Sequence, residues 1–125
     1  MIQKEGLGWR LESDISRKKF SILIGAKDCS VELLYTEWEI LCALIFDLID
    51  EHGKLKNNLM AEEDICLEME RYPCWACING NRDSWSLKVI LSSENEERRG
   101  IELFWPIPTA QVFVEAMRTM WDSKQ

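Results

Sequence analysis

Cys74-Trp75-Ala76-Cys77 is the stretch whose residue types and spacing come nearest to a chemical site, because a Cys-x-x-Cys pair serves as a thioredoxin-type redox couple or as half of a zinc site. Its context opposes both uses. A redox pair sits at a helix N-terminus that stabilises the thiolate, whereas here Pro73 precedes the pair and the flanking residues alternate as a strand does. Three positions apart on a strand, the two side chains point to opposite faces. Zinc needs two further ligands, and what remains is Cys29, Cys42 and Cys66, scattered singly, and a single histidine, His52. Small buried apolar side chains are therefore the expectation for the pair. His52 falls at the end of a predicted helix, where the dipole favours protonated imidazole, so it is expected as a cap rather than as a catalytic base. No catalytic residue, metal site or cofactor is expected.

The other candidates are weaker. Glu62-Glu63-Asp64 and Glu94-Asn95-Glu96-Glu97 read as solvated loops. Gly6-Leu7-Gly8 precedes a strand and lacks a third glycine, which makes it a turn and not a phosphate loop. Six tryptophans suggest stacking platforms for bases, but Trp9, Trp85 and Trp105 lie on the apolar phase of strands and Trp38 on a helix stripe. That leaves Trp75 and Trp121 open. Arg17-Lys18-Lys19, with Lys27 nearby in sequence, is the best basic cluster, and Arg98-Arg99 is a second; both are short enough to be ordinary surface charge.

The elements that would position these residues follow from hydrophobic period. Residues 8–12 and 20–24 alternate as strands, as do Cys29, Val31 and Leu33 against Ser30, Glu32 and Leu34. Thr36-Glu37-Trp38-Glu39 has the form of a capping box and opens a helix. Trp38, Leu41, Ile45 and Leu48, widened by Ile40, Leu44 and Ile49, make that helix apolar around most of its circumference. It is expected to end or bend near His52-Gly53, with a polar continuation to about residue 60. Period two returns with Ile65, Leu67 and Met69 facing one way and Cys66, Glu68 and Glu70 the other. Three more strands follow: Cys74, Ala76 and Ile78 against Trp75, Cys77 and Asn79; then Trp85, Leu87, Val89 and Leu91; then Ile101, Leu103 and Trp105. A last helix over 109 to about 122 buries Phe113, Ala116, Met117 and Met120. The sum is an α+β fold, an antiparallel sheet of about seven strands in two strand-plus-helix halves, with a long central helix and a C-terminal helix.

At 125 residues, 46% hydrophobic and 30% charged, the chain suits one domain spanning 1–125, able to bury roughly 65% of its unfolded surface without disulfide or metal. No run is apolar and long enough to cross a bilayer, no secretory h-region opens the chain, and five cysteines suit free thiols, so a cytoplasmic location is expected. Fifteen basic against 22 acidic residues give a net charge of −7, which repels nucleic acid and anionic lipid. The outer sheet phase repeats that balance, carrying Arg10, Glu12, Glu32, Glu68, Glu70, Lys88 and Glu102.

Glu5-Gly6-x-Gly8-Trp9-Arg10-Leu11, Phe20 with Ile24-Gly25, 28–33 followed by Thr36-Glu37-Trp38, and Arg99-Gly100-x-Glu102-x-x-Trp105-Pro106 together resemble a small cyanobacterial family of unknown function, the domain of unknown function numbered eighteen-eighteen. The likeness spans nearly the whole chain. It implies a fold similar to the whirly-type single-stranded-DNA-binding transcriptional regulators, built from a repeated unit of sheet plus helix, and it carries no established catalytic residue. Whirly-type binders present basic, aromatic sheet surfaces, from which the acidic phase here departs. The leading expectation is a non-enzymatic binding, assembly or regulatory module acting through protein contacts, with an unknown protein or a second copy of itself as partner, a homodimer being favoured by the broad apolar helix faces. The alternative is a single-stranded nucleic-acid binder using Arg17, Lys18, Lys19 and a stacking Trp75.

Overall fold

The structure is a computed structural model that describes residues 1–92 and 100–123. Eight strands and two helices run in the order β1 (Ile2–Gly6), β2 (Trp9–Ser13), β3 (Ile22–Gly25), β4 (Ser30–Leu33), α1 (Tyr35–Leu55), a 3-10 turn (Lys56–Asn58), β5 (Ile65–Arg71), β6 (Cys74–Gly80), β7 (Trp85–Leu91), β8 (Ile101–Trp105) and α2 (Thr109–Ser123). They form two antiparallel four-stranded meanders, β1-β2-β3-β4 and β5-β6-β7-β8, each followed by a helix. The expected single sheet of about seven strands is thus corrected to two sheets of four. The missing strand was β1, Ile2-Gln3-Lys4-Glu5-Gly6, an edge strand that buries no residue fully and so lacks an apolar phase.

Alternation fixes which face each sheet buries. Leu11, Ile22, Ile24 and Leu33 from the first sheet and Cys74, Ala76, Ile78, Leu87, Val89, Leu103 and Trp105 from the second meet the helices in one core. Helix α1 lies on β5 and β6 and also touches β4, while α2 touches β2, β7 and β8 and so packs on both sheets. Trp105 joins the halves directly. It stacks on Phe113 of α2 with centroids 4.2 Å apart, Trp9 meets the same phenyl edge-on at 6.4 Å, and Trp105 Nε1 donates to the Gly25 carbonyl at 3.0 Å.

Helix α1 starts earlier and runs further than expected. Its N-cap is Leu34, not Thr36: the Leu34 amide donates to Glu37 Oε1 at 2.8 Å, one half of a capping box, while leucine has no oxygen to supply the other. The helix passes through Gly53, around which there is open space, and ends at Leu55 before the 3-10 turn. Its wide apolar stripe is covered within the chain: Trp38, Leu41, Cys42, Leu44, Ile45 and Leu48 are buried, and the Arg118 guanidinium of α2 lies 4.3 Å from the Phe46 ring. Trp38 Nε1, however, is buried with no hydrogen-bond partner among the described residues.

Candidate functional site

The second sheet turns one face to the helices and leaves the other uncovered, and register lays the outer residues out in rows. Glu70, Trp75, Ile90 and Glu102 form one row across β5, β6, β7 and β8. Glu68, Cys77, Lys88 and Phe104 form the next, followed by Cys66, Asn79 and Ser86. Trp75 and Ile90 are half-buried against one another, and Phe104 is 48% exposed. Against three carboxylates stands one amine, Lys88, which pairs with Glu102 at 3.3 Å. Glu68 and Glu70 have no ion pair among the described residues.

Beside this face lies a cavity of about 500 Å³ between the hairpin tips of the first sheet and β8. Leu7, which is 96% exposed, Phe104 and Pro106 supply apolar walls, and Lys27, Asp28 and Glu102 supply charge. Gly8 turns the β1–β2 hairpin at φ +82°, a conformation that favours glycine, and so aims Leu7 over the cavity rim. Cys29 Sγ donates weakly to the Glu102 carbonyl at 3.7 Å, holding the β3–β4 turn against β8. Because Glu102 and Phe104 belong to both the face and the cavity wall, the two make one continuous apolar and acidic surface.

A family model described as Domain of unknown function (DUF1818) matches residues 4–120. The chain belongs to the DUF1818 family. It is also similar to a crystal structure of a protein with unknown function from the cyanobacterium Prochlorococcus sp. NATL2A, described there as of the DUF155 family, at 45% identity and a TM-score of 0.89, over 97% of this chain and 99% of that one. No curated protein matches the sequence. DUF1818 membership thus brings the fold and no activity, and function has to be argued from the surface itself.

In this DUF1818 chain the residues singled out from sequence fall in separate places. Cys74 points into the core, where burial pushes its thiol up to about 12, and Cys77 points out, so the two do not converge. Among the described residues no three His, Cys, Asp or Glu side chains gather as metal ligands. His52 lies in the last turn of α1 as expected, but its side chain bonds elsewhere than to the helix end: it is 5% exposed, its Nε2 lies 2.9 Å from the Asn81 carbonyl, and its ring meets Trp85 edge-on at 6.4 Å. It ties α1 to the β6–β7 turn, because the helix continues for another turn's worth of chain and leaves the imidazole beneath the hairpin. Arg17, Lys18 and Lys19 lie on the β2–β3 connection of the first sheet, apart from Trp75 on the second. Arg17 is held by Glu32 at 3.1 Å and Asp14 at 3.9 Å, and Lys19 Nζ lies 5.4 Å from the Phe20 ring centroid. Trp121 packs partly against the core, Lys27 lines the cavity, and Arg98-Arg99 and 94–97 fall outside the described residues.

Sequence reasoning missed one close pairing, that of Cys66 Sγ with Cys77 Sγ at 3.5 Å. The expectation of Cys74 and Cys77 as buried side chains hid it and is corrected for Cys77, which shares the outer phase with Cys66 once β5 and β6 pair through the Tyr72-Pro73 turn.

Proposed function

We propose that this chain is a non-enzymatic binding module that acts through protein contacts on the outer face of its second sheet and the cavity beside it. The observation that carries the reading is the uncovered row of Trp75 and Ile90, next to Phe104, on a face where Glu68 and Glu70 have no ion-pair partner among the described residues. Aromatic and aliphatic side chains set among charge are what protein interfaces enrich, and a folded monomer gains nothing from exposing them together. A partner with cationic groups around apolar side chains fits this surface better than a second copy does, since two like acidic faces repel. Self-association as a homodimer would have to use other surfaces, because the stripe of α1 is covered within the chain.

The test compares the wild-type chain with a Trp75→Ala/Phe104→Ala variant in quantitative affinity capture, with sedimentation of the chain alone alongside. A partner retained by the wild type and lost by the variant supports the reading. Identical capture by both, or a dimer that the double substitution does not weaken, refutes it.

The second reading is a whirly-type single-stranded nucleic-acid binder. Two successive units of four strands plus a helix support it, as does an outward Trp75 able to stack on a base. Fluorescence polarisation with labelled oligonucleotides distinguishes it, since phosphate-driven binding must weaken as salt rises and must fall on removal of Lys18 and Lys19.

A further inference from the structure

Cys66 of β5 and Cys77 of β6 lie on the solvent side of the second sheet with their Sγ atoms 3.5 Å apart. Cys66 is exposed and Cys77 half-buried, so reagents meet Cys66 first. The two are diagonal neighbours: Asn79 stands opposite Cys66, and Glu68 opposite Cys77.

We propose that Cys66 and Cys77 form a thiol–disulfide exchange site that reacts with a small disulfide of the glutathione type and closes to a reversible intramolecular disulfide. In the first step the Cys66 thiolate attacks one sulfur of the glutathione disulfide; the S–S bond breaks, a mixed disulfide forms on Cys66, and one glutathione thiolate leaves. In the second the Cys77 thiolate attacks Cys66 Sγ, the mixed disulfide breaks, the protein disulfide forms, and the second glutathione thiolate leaves to take a proton from water. Two protein thiols are oxidised and one glutathione disulfide is reduced to two thiols.

Geometry decides that such a bond is labile and not structural. Diagonal cross-strand neighbours have Cα atoms about 7–8 Å apart, and unstrained disulfides about 4.4–6.8 Å. Closure must draw the strands together. β5 can yield, since it is an edge strand whose inward Ile65, Leu67 and Met69 are only half-buried. The strain raises the reduction potential, as does exposure, so ordinary thiols reopen the bond. Burial, with the Cys66 thiol as neighbour, pushes Cys77 up to about 11, so ring closure waits on its deprotonation and quickens as pH rises. Cys42 and Cys74 are an internal contrast: both are buried with their pKa values raised, and neither is within reach of a dissolved disulfide.

The site goes beyond the docking reading and is tested without a partner. The reduced chain carrying Cys29→Ser is incubated with oxidised glutathione and followed by intact mass, peptide mapping and sedimentation. The expected product is a monomer lacking two hydrogens, with Cys66 linked to Cys77, Cys42 and Cys74 still reduced, and dithiothreitol restoring the start. Ring closure should quicken about tenfold per pH unit between neutrality and pH 9, as the thiolate fraction rises. Adding Cys77→Ser should halt the reaction at the glutathione adduct on Cys66. Phenylarsine oxide, which bridges two thiols, should bind one per chain and lose that binding on either serine substitution. A lasting glutathione adduct on Cys66 while Cys77 is present, linkage through another pair, or arsenical binding unaffected by Cys66→Ser would overturn the proposal. Both substitutions lie on the outer face, and unchanged circular dichroism confirms folding.

Discussion

Two fully buried tryptophans differ in one respect that can be isolated by the same substitution. Trp105 Nε1 donates to the carbonyl of buried Gly25 at 3.0 Å, while Trp38 Nε1 has no partner among the described residues. Replacing either by phenylalanine removes roughly 40 Å² of buried apolar surface, about 1 kcal/mol at about 25 cal/mol per Å². For Trp105→Phe the lost hydrogen bond adds about 1–3 kcal/mol, giving a total loss of about 2–4 kcal/mol. For Trp38→Phe the sign of that contribution reverses. Removing a buried donor that has no acceptor relieves about 1–3 kcal/mol, so the net change lies between about zero and about 2 kcal/mol gained. Urea unfolding followed by far-ultraviolet circular dichroism measures both, avoiding fluorescence that six tryptophans would confuse. The expected gap between the two variants is at least about 2 kcal/mol at an unchanged m-value. Equal losses would refute the assignment of the Trp105–Gly25 bond as a stabilising polar link between the two sheets.

Gly53 lies inside α1 with no heavy atom within 4 Å of a Cβ placed there, so Gly53→Ala should stabilise by about 0.5–1 kcal/mol in thermal melts. Gly80→Ala should do the opposite, by about 1–3 kcal/mol or more, because its Cβ would press on Ser84 O and lie 2.6 Å from Trp85 Cα. His52→Ala should cost about 1–3 kcal/mol through the lost Asn81 bond and Trp85 contact, and should raise amide exchange first at the β6–β7 turn; exchange unchanged there would contradict the anchoring role. Asp14 accepts from the Ser16 hydroxyl at 2.6 Å and the Ser16 amide at 3.0 Å, which holds its carboxyl below the ordinary value. Its contribution is therefore present above about pH 4 and lost as pH falls through the lowered value, so the stabilities of wild type and Asp14→Asn should converge in acid, as read by unfolding at stepped pH.

Where one face of an element is wholly buried, the sequence announced it. The buried phase of β7 is that of the structure, the expected α2 face of Phe113, Ala116, Met117 and Met120 is buried together with Ala110 and Val114, and Cys74 and Cys77 fall on opposite faces of β6 as a strand requires. Elements that bury little were harder to read. β1 is half-buried at Ile2 and Lys4 alone, so its pairing with β2 supplies what its own pattern does not. The start of α1 was misplaced because Glu37 reaches the amide of Leu34, an apolar residue that no cap preference favours. Gly53 misled for the opposite reason: propensity disfavours glycine in a helix, but burial of Leu48 and His52 in the turn before it anchors a helix that runs on through Gly53 to Leu55. The candidate surface was visible only as a phase, since its rows exist only once four strands are in register.

The two halves share a plan but not a surface, and the difference is what favours the second sheet as the proposed docking face. On the outer face of the first sheet the charges answer one another: Arg10 meets Glu12 at 3.0 Å and Glu5 at 3.9 Å, and Arg17 meets Glu32 at 3.1 Å. A partner covering that face would have to desolvate formed ion pairs for little apolar gain, as only Leu23 lies among them. On the second sheet Trp75, Ile90 and Phe104 offer area to bury, while Glu68 and Glu70 keep carboxylates that a cationic group can still satisfy. Binding there gains from both contributions, so contact-breaking substitutions on the second sheet should abolish association that charge-neutral changes at Glu12 and Glu32 leave intact.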